Sequence, residues 1–193
     1  MFTKMTIIGI TGTLGAGKGT IVEYLVDKKK FRHYSVRAFL LEEIRRQGLP
    51  ENRDSMFNIA NALRAKYGSS YVVDQLYHQA SNSGENCIIE SIRTEGEILS
   101  LRKKPGFFLF AVDADKKIRY ERIHLRQSET DHISFETFLE NEAREMDTAD
   151  PGKQNLRKCI ELADHIFQNN GTVEELIRQV EMILPEIKNH SGK

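Results

Sequence analysis

Met5-Thr6-Ile7-Ile8-Gly9-Ile10-Thr11 runs without interruption into Gly12-Thr13-Leu14-Gly15-Ala16-Gly17-Lys18-Gly19-Thr20. The first stretch is an apolar run of strand length. The second is rich in glycine and carries one lysine among small residues. Ile21, Val22, Leu25 and Val26 follow at helical spacing. Strand, glycine-rich turn and helix in that order make a phosphate-binding loop. Glycines let successive backbone N–H groups turn inward around a polyphosphate, and Lys18 adds a mobile positive charge. The N-terminus of the following helix points its dipole at the same anion. A plain glycine-rich turn leaves the lysine unexplained, so nucleotide phosphates are expected at residues 12–20.

Outward from that loop, apolar runs of strand length alternate with helical periodicity. This pattern predicts an α/β domain with a parallel sheet. Strands are expected at 5–11, 33–36, 86–90, 107–112 and 164–168. Phe107-Phe108-Leu109-Phe110-Ala111-Val112 is the clearest, since continuous apolar sequence marks a strand buried on both faces. In the last helix Thr172 and Glu175 form a capping box. Val173, Leu176, Ile177, Val180, Ile183 and Leu184 share a face, and Pro185 is expected at or near the stop. Residues 189–193 read as a disordered tail.

Two stretches exceed the minimal alternation. A helical insertion spans about 38–83, broken at Gly48-Leu49-Pro50 and at Gly68-Ser69-Ser70, with Met56, Ile59, Ala60, Leu63 and Tyr67 on one face. A second covers about 127–155, where Ser134 suits a helix cap and Phe135, Phe138, Leu139, Ala143 and Met146 form a stripe. Both stripes read as packing surfaces. The chain is then one domain over 1–188, with its core at 1–37, 84–126 and 156–188.

The bulk composition excludes several classes. Lys and Arg number 28 and Asp and Glu 28, so the net charge is zero. A general nucleic-acid or membrane-surface binder needs a net basic face. Cys87 and Cys159 lack metal or redox spacing and read as reduced thiols of a cytoplasmic protein. No apolar stretch approaches the ~20 residues of a membrane span. The six histidines suggest neither a triad nor a metal site, and read as surface or hydrogen-bonded core residues.

The loop departs from the common pattern at one letter. Gly19 stands where most such loops place the Ser or Thr that ligates Mg²⁺, and Thr20 comes one position later. This Lys-Gly-Thr ending resembles the nucleoside monophosphate kinases, adenylate kinase above all. Insertions at the two places just described are the layout of the P-loop monophosphate kinases, so the resemblance covers essentially the whole chain. It implies a three-layer fold, a five-stranded parallel sheet with helices on both faces, an acceptor-binding insertion at 38–83 and a short lid at 127–155.

The resemblance also implies roles for single residues. Cys87-Ile88-Ile89-Glu90-Ser91-Ile92-Arg93-Thr94 looks like the strand-acid-turn-arginine segment whose arginine grips the acceptor phosphate. Glu90 would order the waters of Mg²⁺ near Lys18, with no direct protein ligand to the metal, and Arg93 would hold the acceptor. Arg119, Arg122 and Arg126 fall at i, i+3 and i+7 on one side of a helix. The family's lid arginines stabilise the moving phosphoryl group from such a helix, which singles out Arg126 and Arg122, with Arg144 as a further candidate. The segment Leu162–Thr172 is similar to dephospho-coenzyme A kinase, in which this loop lies against the adenine. That points to Asn170 and Gly171, although a strand, turn and cap explain the same residues.

At the acceptor site the pattern breaks. His33-Tyr34-Ser35 is similar to the start of the adenylate kinase acceptor segment, but Val36-Arg37-Ala38-Phe39 follows, not threonine, glycine and aspartate. The aspartate of dephospho-coenzyme A kinases is also missing. Arg37 and Arg64 are the cations of this insertion that can hold a phosphate, with helix-surface roles as the plain alternative. The whole reads as a kinase moving the γ-phosphate of ATP, with Mg²⁺, to a nucleoside or deoxynucleoside monophosphate, acting as monomer or homodimer. A dephospho-coenzyme A kinase-like enzyme and a nucleotide-dependent regulatory module with slow ATP hydrolysis are the alternatives.

Overall fold

The computed structural model describes residues 5–126, 133–148 and 153–190. The elements follow in the order β1 (Ile7–Gly12), α1 (Lys18–Lys29), β2 (Arg32–Ser35), α2 (Val36–Arg46), α3 (Arg53–Tyr67), α4 (Tyr71–Ser83) and β3 (Cys87–Glu90). Then come α5 (Glu95–Arg102), β4 (Phe107–Asp113), α6 (Lys116–Arg126), α7 (Phe135–Met146), α8 (Leu156–Glu161), β5 (His165–Gln168) and α9 (Val173–His190). The strands form one parallel sheet in the order β2-β3-β1-β4-β5. This is the parallel sheet that the alternation implies, in the five-stranded P-loop kinase-like arrangement that the resemblance implies.

Alternation along the strands builds two cores. Ile7, Ile89 and Leu109 face one side, against Leu40 and Ile44 of α2, Val73 and Leu76 of α4, Ile98 and Leu101 of α5 and Cys159 of α8. Ile8, Ile10, Ile88, Phe110 and Val112 face the other, against Ile21 and Leu25 of α1 and Leu176, Val180 and Leu184 of α9. Each sheet face is thereby removed from water, as a parallel sheet requires. The central position of β1 carries the phosphate loop to the middle of the sheet's C-terminal edge, where α/β ligand sites form.

The first insertion breaks into α2, α3 and α4 at the two glycine clusters. It begins at Val36, not 38, because Ser35 Oγ accepts from Ala38 N at 3.2 Å and caps α2. Ile59 and Ala60 are buried, whereas Tyr67 of the same stripe is 50% exposed and stacks on Tyr71 with ring centroids 4.5 Å apart. In the second insertion Ser134 caps α7 through Thr137 N at 3.2 Å, and Phe138 is fully buried while Ala143 is exposed. The rest of that insertion, residues 127–132 and 149–152, lies outside the described residues.

At the C-terminus one expectation holds and one is corrected. Thr172 and Glu175 do form a capping box, with N–H···O distances of 2.9 and 3.3 Å. Pro185, however, does not stop the helix: α9 continues to His190 and takes in the first two residues of the expected tail, while 191–193 lie outside the described residues. Proline removes one backbone donor. Burial of Leu184 and Ile187 on either side of it offsets that loss by holding the helix to the sheet. Among the described residues no helix is long and apolar enough to cross a membrane. Cys87 and Cys159 are buried and unpaired, and burial pushes both thiols up to about 12, which makes them inert.

Candidate active site

The phosphate loop occupies the turn between β1 and α1. Gly15, with φ +78°, comes so close to α6 that a Cβ there would stand 2.5 Å from the Arg119 carbonyl. Gly17 takes the left-handed conformation, with φ +102°, at the N-cap of α1, and no side chain caps that first turn. The helix end is thus left to an anion. Lys18 folds back over the loop, donating from Nζ to Gly12 O at 2.8 Å and Thr13 O at 2.7 Å. Burial, and then the positive charge of Arg93, pull its ammonium down to about 7, against the carboxylates of Glu145 and Glu90. Thr13 is held by its hydroxyl on Asp113 Oδ1 at 2.7 Å, and the Ala16 carbonyl accepts from Asn169 Nδ2 at 2.8 Å. Gly19 is exposed with open space around it, and Thr20 lies in the first turn of α1.

One strand away, β3 pairs with β1 so that Glu90 lies beside Ile10 at the root of the loop. Glu90 Oε1 accepts from Ser35 Oγ at 3.1 Å and is 3.7 Å from His33 Nε2. The imidazole, then the serine hydroxyl and Lys18, hold its carboxyl below the usual range, against partial burial. Ser91 follows with φ +67°. A non-glycine residue in that region is strained, and the strain is held by Ile92, fully buried, whose carbonyl accepts from Thr11 Oγ1 at 2.7 Å. The turn delivers Arg93, whose Nη1 is bonded to Glu145 of α7.

The opposite wall comes from α6 and the turn after β5. Arg119, 2% exposed, donates to Ala114 O at 2.7 Å and Leu14 O at 3.3 Å, and is ion-paired with Glu142 of α7. Arg122 donates to Asn169 O at 2.8 Å and Gly171 O at 3.2 Å, so the structure brings together Arg122 and the Asn170-Gly171 turn. The Asn170 side chain itself accepts from Asp115 N at 2.8 Å and so holds the entry to α6.

The remaining candidate cations differ in exposure. Arg126 ends α6, exposed, two turns or about 10 Å beyond Arg119. Arg144 is exposed, because α7 turns its neighbour Glu145 toward Arg93. Arg37 is exposed on the first turn of α2. Arg64 is 9% exposed and lies 3.4 Å from Glu97, whose other oxygen accepts from the backbone N–H groups of Arg93 and Thr94 at 2.8 and 3.0 Å. It thus acts on the arginine turn through Glu97.

Among the neighbours of the site that escaped the sequence reading are His33, Glu142, Glu145 and Asn169. Strand order alone could have found His33, since β2 lies beside β3 with Ser35 opposite Glu90. The α7 glutamates look like an ordinary solvated charge run. A resident metal would find no cage: among the described residues no group of three or more His, Cys, Asp or Glu could hold one. Glu90, at the end of β3 beside the loop, is a carboxylate that could order the waters of a Mg²⁺ held by phosphates.

Comparison with known proteins agrees with this geometry. The family described as "AAA domain" matches residues 8–149. A UPF0200 protein of Methanococcus maripaludis is 29% identical over 188 residues, covering 96% of this chain and 99% of its own length. One from Methanocaldococcus jannaschii is 30% identical over 192 residues, covering 98% and 94%. Among solved structures, TT1252 from Thermus thermophilus matches with a TM-score of 0.60 at 20% identity, covering 95% of this chain and 98% of that one. A gluconokinase from Sinorhizobium meliloti 1021 matches with 0.56 at 14% identity, covering 98% and 96%. At such identities the likeness is one of fold.

Proposed function

We propose an activity on the premise that the chain belongs to the AAA-domain family and to the UPF0200 proteins: it is an ATP-dependent kinase that transfers the γ-phosphate to a small phosphorylated acceptor, a nucleoside or deoxynucleoside monophosphate in the first instance. The observation that carries this reading is the convergence of Lys18, Glu90 and Arg93 at the ends of two paired strands, β1 and β3. Phosphoryl transfer asks a protein mainly for alignment and positive charge. Backbone N–H groups of residues 15–20 would hold the β-phosphate, and Lys18 would span β and γ. Arg93 would hold the acceptor, and Arg122 would steady the base-side turn. Arg126 would follow the moving charge and Arg37 line the acceptor side. Mg²⁺, when bound, neutralises charge on the donor oxygens, and Glu90 would fix its waters.

An alcohol acceptor needs a general base, and Glu90, whose carboxyl His33 and Ser35 hold below the usual range, would be the group placed to serve it. A phosphate acceptor needs no base: one of its oxygens bonds to the γ-phosphorus while the bond to the β–γ bridging oxygen breaks, and ADP leaves.

The experiment is ADP formation from ATP and Mg²⁺ with a panel of ribo- and deoxynucleoside monophosphates and dephospho-coenzyme A. Acceptor-dependent ADP, lost in Arg93→Ala, is expected. Slow hydrolysis indifferent to every acceptor would replace this reading with that of a regulatory module.

A further inference from the structure

Two carboxylates one turn apart on α7 hold two cations that border the phosphate loop. Glu142 is bonded to Arg119 and lies 3.7 Å from Lys116 Nζ, while Glu145 is bonded to Arg93. The two pairs differ in kind. The Glu142 and Arg119 side chains are 8% and 2% exposed, and the guanidinium also lies over the Phe138 ring, 5.4 Å from its centroid. That pair is built into the junction of α6, α7 and the loop, and removing either partner would strand a buried charge. The Arg93 and Glu145 side chains are 28% and 19% exposed, so solvent and ions reach them. Both also act on the Lys18 ammonium, in opposite senses, which places Glu145 within electrostatic reach of the phosphate loop.

We propose that Glu145 is a specificity-determining residue, a carboxylate that occupies Arg93 in the ligand-free protein and yields it only to an acceptor group of at least equal negative charge, a phosphate dianion. This rests on reading Arg93 as the acceptor arginine. A guanidinium fork fits carboxylate and phosphate alike, so the two compete for the same donors. A neutral hydroxyl or amide cannot replace the ion pair it would break, and a dianion can. Selectivity thus comes from a repulsive element at the cost of intrinsic affinity. Glu142 keeps α7 anchored while Glu145 is displaced.

The test is calorimetric titration with inorganic phosphate at pH 8, where the dianion dominates, on the wild-type chain, Glu145→Gln, Arg93→Ala and the double variant. Folding of each is checked by circular dichroism, and Glu145→Ala stands in if Glu145→Gln does not fold. Glu145→Gln is expected to bind phosphate about five- to tenfold more tightly, the effect of removing one partly exposed charged competitor. The gain should vanish in the Arg93→Ala background. No gain, weaker binding, or a gain that survives Arg93→Ala would overturn the proposal. Binding is read without turnover, so absence of acceptor-dependent ADP would count against the kinase reading alone.

Discussion

Asn169 donates its side-chain amide to the Ala16 carbonyl at 2.8 Å, tying the turn after β5 to the middle of the phosphate loop. The contact spans 153 residues of sequence and is buried. A Cβ on Gly17 would stand 2.3 Å from the same amide nitrogen. Asn169→Ala is expected to destabilise the chain by ~1–2 kcal/mol, as loss of a buried hydrogen bond does, and to weaken ATP binding. Gly17→Ala should abolish ATP binding. In a double-mutant cycle the Asn169→Ala background should recover only part of that loss, since strain at φ +102° remains. Calorimetry on the four proteins checks this; full recovery would show that contact, not backbone strain, dominates.

Lys18 titrates near neutrality in the free protein, at about 7, because burial disfavours its charge. A polyphosphate restores that charge. Binding above pH 7 should therefore take up a proton, and ATP affinity should fall by up to about tenfold per pH unit above 7. Titration in two buffers of different ionisation enthalpy measures the uptake. The stability sign is opposite: between about 7 and the ordinary value of 10.5 the unfolded chain binds more protons, so this group's contribution rises with pH. Lys18→Ala should retain the fold and lose turnover by about 10³-fold or more.

Ser91 sits at φ +67° between Glu90 and the fully buried Ile92. Glycine would relieve the strain but lose more chain entropy on folding. The net expectation for Ser91→Gly is a gain of ~0.5–1 kcal/mol in stability, with reduced turnover as Glu90 and Arg93 lose their fixed spacing. A thermal melt and a rate assay on one preparation read both. A stabilised variant with unchanged rate would show that the strain serves no alignment.

Glu97 joins the arginine turn to Arg64 inside the core, the two side chains being 1% and 9% exposed. Arg64→Ala leaves that buried carboxylate without its cation, though still bonded to the N–H groups of Arg93 and Thr94, and should cost ~2–3 kcal/mol. Arg37→Ala, on the exposed first turn of α2, should leave stability within ~0.5 kcal/mol. Denaturant unfolding of the two variants separates a structural arginine from a surface one. Equal stabilities would show that the Arg64–Glu97 pair contributes little to the fold.

Apolar continuity and glycine spacing determined the sheet, the phosphate loop and the breaks between α2, α3 and α4. Each is a local pattern: a buried parallel strand must be apolar throughout, and a loop that folds around phosphate must be able to take positive φ. The positions of Glu90 and Arg93 at the end of β3 and in the turn after it were legible too, because the end of a buried strand is marked by the first charged residue and lies at the sheet's C-terminal edge. Only the tertiary structure decided which cations face the loop and what opposes them. Arg119 and Arg126 share a helix side in sequence, yet one packs against Leu14 and the other ends α6. Arg144 and Glu145 are neighbours in sequence, and the rotation of α7 about buried Phe138 gives the site the acid and leaves the arginine outside. Charge pairing joins residues far apart in the chain and follows from packing, which periodicity does not encode.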